Sequence, residues 1–249
     1  MICLILVFPA SCYTSPMKPE TRAYFLKEYG SWSVLFVAYT IGLGVGSGFR
    51  WEAVLVLLAL SLLINSKQAF TKWMRGTSDR KPLIILLAHI VAAAIILLAV
   101  FGKELPRLLP LLIVPAAYLL MNIFAGEHFV LTELLGFALL SLAAVLAKFL
   151  ITGGLDARLF VGVALYFGAG VFKVKAMLLK KTRDRTLAAL YPFFAVPVYL
   201  SMNLPLIALL PLADNVVAAV TPYKARLRTI GWIEVVKSLL FLVLFVYWY

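Results

Sequence analysis

Long apolar blocks, each of roughly twenty residues, follow one another along the chain with only short polar clusters between them. A helix crossing the hydrocarbon layer needs roughly 17–25 mostly apolar residues, and only helices or closed barrels satisfy their backbone hydrogen bonds there. Unbroken runs favour helices over the alternating pattern of a barrel strand. The pattern predicts about nine spans, at 31–49, 52–73, 82–101, 106–124, 130–150, 157–179, 187–203, 205–220 and 229–249. Pro192, Pro197, Pro205 and Pro211 interrupt the seventh and eighth, so that stretch reads either as two short helices or as one long kinked one.

Composition excludes the alternatives. Of 249 residues, 64% are hydrophobic and only 14% charged, with a mean hydropathy of +1.02. Soluble domains are about half apolar and a quarter charged, and two cysteines cannot staple a chain of this size. The fold class is therefore all-α, a polytopic membrane helix bundle forming a single domain over residues 31–249.

Charge then suggests an orientation. Lys and Arg collect in cytoplasmic loops. Lys18, Arg22 and Lys27 precede the first span, and Lys72, Arg75, Arg80 and Lys81 follow the second. Lys173, Lys175, Lys180, Lys181, Arg183 and Arg185 close the sixth, and Lys224, Arg226 and Arg228 precede the ninth. With nine spans these sixteen of the 23 cations share one side, against Arg50, Lys103, Arg107, Lys148 and Arg158 on the other. The expectation is a plasma-membrane protein with a cytoplasmic N-terminus and an external C-terminus. The net charge of +12 then serves orientation and anionic lipid headgroups; no segment is long enough to build a nucleic-acid-binding face.

Ahead of the spans, residues 1–16 read as a loose tail. The apolar run Ile2–Phe8 is too short to cross a membrane, and no positive residue precedes it as a signal peptide requires. Residues 17–30 mix aromatic and charged side chains, which suits a segment lying in the interface.

Polar side chains inside spans are costly and often functional. Asn65, Gln68, Lys72 and Arg75 lie within one stripe about 80° wide, with Lys67 on the opposite face. Tyr166, Gly170, Lys173, Met177 and Lys180 form a second stripe, the glycine leaving room beside Lys173. Glu234 and Lys237, three apart on one face, are expected to neutralise each other. Asp214, Asn215, His89 and Asn122 read as isolated packing contacts. Gly42, Gly44, Gly46 and Gly48 hold two overlapping GxxxG spacings, a sign of close helix packing. No two of the eleven carboxylates are four apart, and two histidines and two cysteines supply a zinc or haem site poorly. No metal and no cofactor is expected.

Two terminal stretches and one internal one resemble a known family. Lys27-Glu28-Tyr29-Gly30-Ser31-Trp32 is similar to the opening of the YwiC-like bacterial membrane proteins, with Tyr29 where that family usually has histidine. Arg228-Thr229-Ile230-Gly231-Trp232-Ile233-Glu234 resembles its closing segment, and Phe172-Lys173-Val174-Lys175-Ala176-Met177 its internal basic one. The resemblance implies no assigned activity. A more distant likeness is to the UbiA-type prenyltransferases, which also have about nine helices and working loops after the second and sixth. Laid on the chain from Asn65, the two aspartates of their magnesium–diphosphate motif fall on Ala69 and Trp73, and Lys173, Lys175 and Lys180 replace their second acidic motif. Magnesium-dependent prenyl transfer is therefore not expected.

The resulting expectation is a cytoplasm-facing basic cavity that binds an anionic lipid or isoprenoid phosphate. Asn65, Gln68, Lys72 and Lys173 would contact it, and Glu28, Glu234 and Lys237 would complete the site. The competing readings are a secondary transporter, from the proline-broken seventh and eighth spans, and a non-catalytic subunit of a membrane complex.

Overall fold

The structure, a computed structural model, describes residues 29–74, 80–179, 181–220 and 227–249. Glu28, Arg75 and Lys180, with the tail 1–16 and most of the interfacial segment, lie outside the described residues. Every regular element among those described is helical. In chain order they are α1 (Tyr29–Val45), α2 (Glu52–Met74), α3 (Lys81–Phe101), α4 (Ile113–Ala125), α5 (Val130–Thr152), α6 (Ala157–Leu179), α7 (Thr182–Ser201), α8 (Ala213–Val220) and α9 (Leu227–Trp248).

The differences from the expected limits follow from local chemistry. The first helix stops at Val45, not 49, because Ser47 takes a left-handed φ of 54° within a glycine-rich turn. The fourth span is a continuous α-helix only from Ile113; 3₁₀ turns at Gly102–Glu104 and Leu109–Leu112 flank a single α-turn, where Pro106 and Pro110 withhold backbone donors. α7 starts earlier than expected and carries Pro192 and Pro197 without breaking. The break falls at Met202–Pro205, after which Leu206–Leu212 is a 3₁₀ helix leading into the short α8. The ambiguous stretch thus holds two elements, and the second is not a single α-helix.

By length and apolar composition, five of the described helical stretches can cross a membrane: Glu52–Met74, Lys81–Ala125, Val130–Thr152, Ala157–Met177 and Thr229–Trp248. The 45-residue stretch folds back on itself, since Ile90 and Pro115 line the same cavity. Gly30–Val45 and Leu206–Val220 are shorter apolar helices.

α5 is the axis of the packing, in contact with α1, α2, α4 and α6. Its crossing with α1 is made close by Gly42, where a Cβ would lie 2.1 Å from the carbonyl oxygen of Ala144. Only a residue without a side chain allows that approach. α9 packs on α1 and on the 3₁₀ helix. Tyr166 of α6 stacks face to face on Phe241 of α9, with ring centroids 3.7 Å apart, and Phe245 and Tyr249 extend the aromatic column along α9. α3 packs on α2, and α4 on α5, but α3 and α4 form no extended contact with each other. Ile84, Val91, Ile95, Leu98, Leu120 and Phe124 on this pair are exposed, as lipid-facing side chains are.

Candidate functional site

At one end of the bundle the starts of α1, α3, α5 and α9 meet the ends of α2 and α6, and with Pro115, Tyr118 and Leu119 of α4 and Asn215 of α8 they line an open cavity of about 570 Å³. That volume is in the range of small-molecule sites. Its walls are mostly aliphatic and aromatic, including Leu60 and Leu63 of α2, Leu86 and Ile90 of α3, Leu139 and Leu140 of α5, and Phe167 of α6. Gly170 also lines it, and a Cβ there would meet nothing within 4 Å. The open space beside Gly170 thus belongs to the cavity, but Lys173 does not line it.

α2 turns a different face inward from the one expected. Ile64, Lys67, Phe70 and Trp73 line the cavity. Asn65, by contrast, lies 3.0 Å from the His89 ring on α3, whose other nitrogen is 2.7 Å from the carbonyl of Ile85. Asn65, Gln68 and Lys72 are not among the lining residues, whereas Lys67 is. The expected stripe therefore does not face the cavity: Asn65 turns to α3, and Lys67 on the other face lines the cavity.

Lys173, read as an anion ligand, is 1% exposed and does not line the cavity. Its ammonium is bonded to Asp214 of α8 and Glu234 of α9. Lys237 completes the arrangement, with Nζ 3.2 Å from Asp214, 3.1 Å from Glu234 and 2.8 Å from Oδ1 of Asn215. Asn215 in turn donates to the carbonyl of Ala169 on α6 at 3.3 Å. The expected Glu234–Lys237 pair exists, but as half of a quartet of two cations and two carboxylates joining three helices. Such balance is what a low-dielectric interior demands, because an uncompensated charge there is very costly. Glu234, Lys237 and Asn215 reach the cavity wall; Lys173 sits behind them.

Asp214 and Asn215 looked isolated because no polar residue lies within a helical turn on the same face as a partner; their partners are 41 and 22 residues away. A second pair went unnoticed: Lys175 Nζ lies 2.9 Å from Glu133 of α5 and 3.4 Å from the carbonyl of His128. A lone carboxylate in the apolar block 130–150 was the available signal. The described charged residues of the cavity are thus Lys67, Glu127, Glu133, Glu234 and Lys237, a mixed set instead of a uniformly basic one.

At the opposite end a different cluster fixes the loop between α5 and α6. Asp156 caps α6 by accepting the Leu159 N–H at 3.1 Å, accepts the Tyr249 hydroxyl at 2.7 Å, and pairs with Lys148. Burial alone would raise the Asp156 pKa; the hydrogen bonds from Lys148, Tyr249 and the Leu159 backbone outweigh it and hold the carboxyl below its ordinary value. Arg158 donates to the carbonyl of Asn203 at 3.2 Å, tying the break between α7 and the 3₁₀ helix to the same region. These groups serve as a lock, not as a ligand site.

Comparison with known proteins adds one positive finding. Residues 26–148 match the family described as YwiC-like protein. No curated protein and no solved structure matches the chain. Apolar helices and this match together fit a multi-pass integral membrane protein.

Proposed function

We propose, from the premise that this chain is YwiC-like over residues 26–148, that it is a plasma-membrane protein of nine crossings which holds one amphiphilic lipid in its cavity. The N-terminus is cytoplasmic and the C-terminus external in this reading, because alternating helix ends then bring every dense Lys/Arg loop to the cavity end. The ligand has an apolar chain and an anionic headgroup, either a phospholipid or an isoprenoid phosphate.

The observation that carries this reading is the cavity itself: about 570 Å³, walled mostly by apolar side chains, with Lys67 and Lys237 among the residues that line it. Ser31, Ser33, Ser66 and Thr132 are further polar residues of the same lining. Apolar walls with a few converging polar groups are the common form of a small-molecule site. The lipid reaches it sideways, between α3 and α4, which share the cavity without packing along each other. The prenyltransferase likeness is kept as architecture only. The cavity draws on the ends of α2 and α6, but among the described residues neither helix gives it a carboxylate, so magnesium–diphosphate chemistry is no part of the proposal. Lys67 takes over the headgroup role first expected of Lys72 and Lys173.

Native mass spectrometry of the protein released from membranes tests this. One lipid should remain bound, with anionic lipids enriched over zwitterionic ones. Gly170→Leu should intrude on the cavity and lower lipid retention without lowering the unfolding temperature. Lys67→Met should reduce the anionic preference roughly tenfold, the worth of one charge-assisted hydrogen bond. Retention of lipid by Gly170→Leu at the level of the parent protein would rule the cavity out.

A further inference from the structure

The quartet at the cavity wall is neutral as it stands, and an anion entering beside it breaks that balance. Lys237 faces the cavity and is held by three acceptors, Asp214, Asn215 and Glu234. It is the quartet's cation within reach of a headgroup in the cavity; Lys173 is sealed behind it and remains bonded to both carboxylates. When a phosphate oxygen takes up the Lys237 ammonium, Lys173 alone is left to serve both Asp214 and Glu234. Two carboxylates then share one buried lysine, and an excess of buried negative charge is costly. Glu234 lines the cavity and is about a quarter exposed, so a proton from the cavity water can reach it. Asp214 does not line the cavity.

We infer that binding of an anionic headgroup in this cavity is coupled to uptake of one proton by Glu234, with Lys237 exchanging its carboxylate partner for the ligand's phosphate. The inference rests on the cavity reading above and adds to it the chemistry of the headgroup, a fixed anion, and the device that balances its charge. The proton arrives from water and leaves with the ligand; no bond other than the O–H of the carboxyl forms or breaks. The charged and titratable groups around Glu234 are Lys173 and Tyr166 on α6, Asp214 on α8 and Lys237 on α9, with Lys67 of α2, Glu133 of α5 and Glu127 of the α4–α5 loop elsewhere in the cavity lining. Lys67 supplies a second contact to the headgroup but takes up no proton, because an ammonium has no lone pair to accept one.

The test uses the full chain in a mild detergent and dioctanoyl phosphatidylglycerol, a phosphodiester whose charge is constant across the neutral range, with dioctanoyl phosphatidylcholine as the zwitterionic control. Titration calorimetry in two buffers of different ionisation enthalpy counts the protons. The expected result is one proton taken up per phosphatidylglycerol, an affinity that falls about tenfold per unit rise in pH over the range where that proton is taken up, and no such dependence for phosphatidylcholine. Glu234→Gln should abolish both the uptake and the pH dependence. Because that variant leaves two lysines facing one carboxylate, the charge-balanced pair Glu234→Gln/Lys237→Met is measured beside it. That pair should keep the fold, bind phosphatidylglycerol about tenfold more weakly and take up no proton. Tight binding by the parent protein with no proton uptake overturns the coupling and leaves the cavity reading standing. Absence of binding at every pH overturns both.

Discussion

Lys173 changes role once its neighbours are known. From the sequence it is a basic residue near a helix end, next to a glycine, and a phosphate ligand is the natural partner. In the folded chain Asp214 and Glu234 already occupy it, and those partners come from helices that no local spacing connects to it. The polar residues were therefore legible as intramembrane groups needing partners, while the partners themselves depend on helix contacts that hydropathy does not encode. Removing the lysine leaves two carboxylates to one remaining cation. Lys173→Met should destabilise the protein by about 2–3 kcal/mol, below the ~3–5 kcal/mol of a fully buried pair because both carboxylates are partly exposed. Thermal unfolding in detergent measures this, and Lys173→Met/Asp214→Asn should regain more than half of the loss. Equal stability of the single variant and the parent would mean that the quartet contributes nothing to folding.

Helices were the most legible level. The apolar runs located α2, α3, α5, α6 and α9 to within a few residues, because lipid exposure forces a long apolar sequence whatever the packing. Where proline intervenes, sequence gave the place of trouble but not its form: α7 absorbs two prolines, while the chain after Pro205 winds as 3₁₀ before α8. The glycine spacings pointed to close crossings without naming the helices crossed, which are α5 at Gly42 and Gly46 and α9 at Gly44. Two glycines make a controlled comparison. At Gly42 the added methyl would meet the Ala144 carbonyl, a backbone atom that cannot turn aside. Gly42→Ala should cost roughly 1–3 kcal/mol by forcing α1 from α5. Gly170→Ala meets open space and should hold or slightly raise stability, since alanine is the better helix former. Unfolding temperatures of the two single variants, read side by side, check the difference; an unaffected Gly42→Ala would show that the crossing is looser than described.

Across the whole molecule the two ends behave differently toward pH. At the end away from the cavity the Asp156 carboxyl is held below its ordinary value of 3.8, so its contribution to stability is fully present above pH 3.8 and is lost as pH falls through the lower folded value. Asp156→Asn should therefore lower the unfolding temperature at pH 7, and the gap to the parent should close in acid below about pH 4; a gap that persists there would assign the effect to the cap alone. The sequence suggested a cavity at the basic end, but not that its charged lining would be of both signs or that Asp156, Lys148 and Tyr249 would form a lock at the other. The separation of α3 from α4 has a consequence for any assay. A guest that slips in through that side gap is drawn from molecules already dissolved in the bilayer, which acts as a two-dimensional reservoir. Occupancy then follows the guest's mole fraction among the surrounding lipids, and adding more of it to the water changes nothing once the bilayer is saturated.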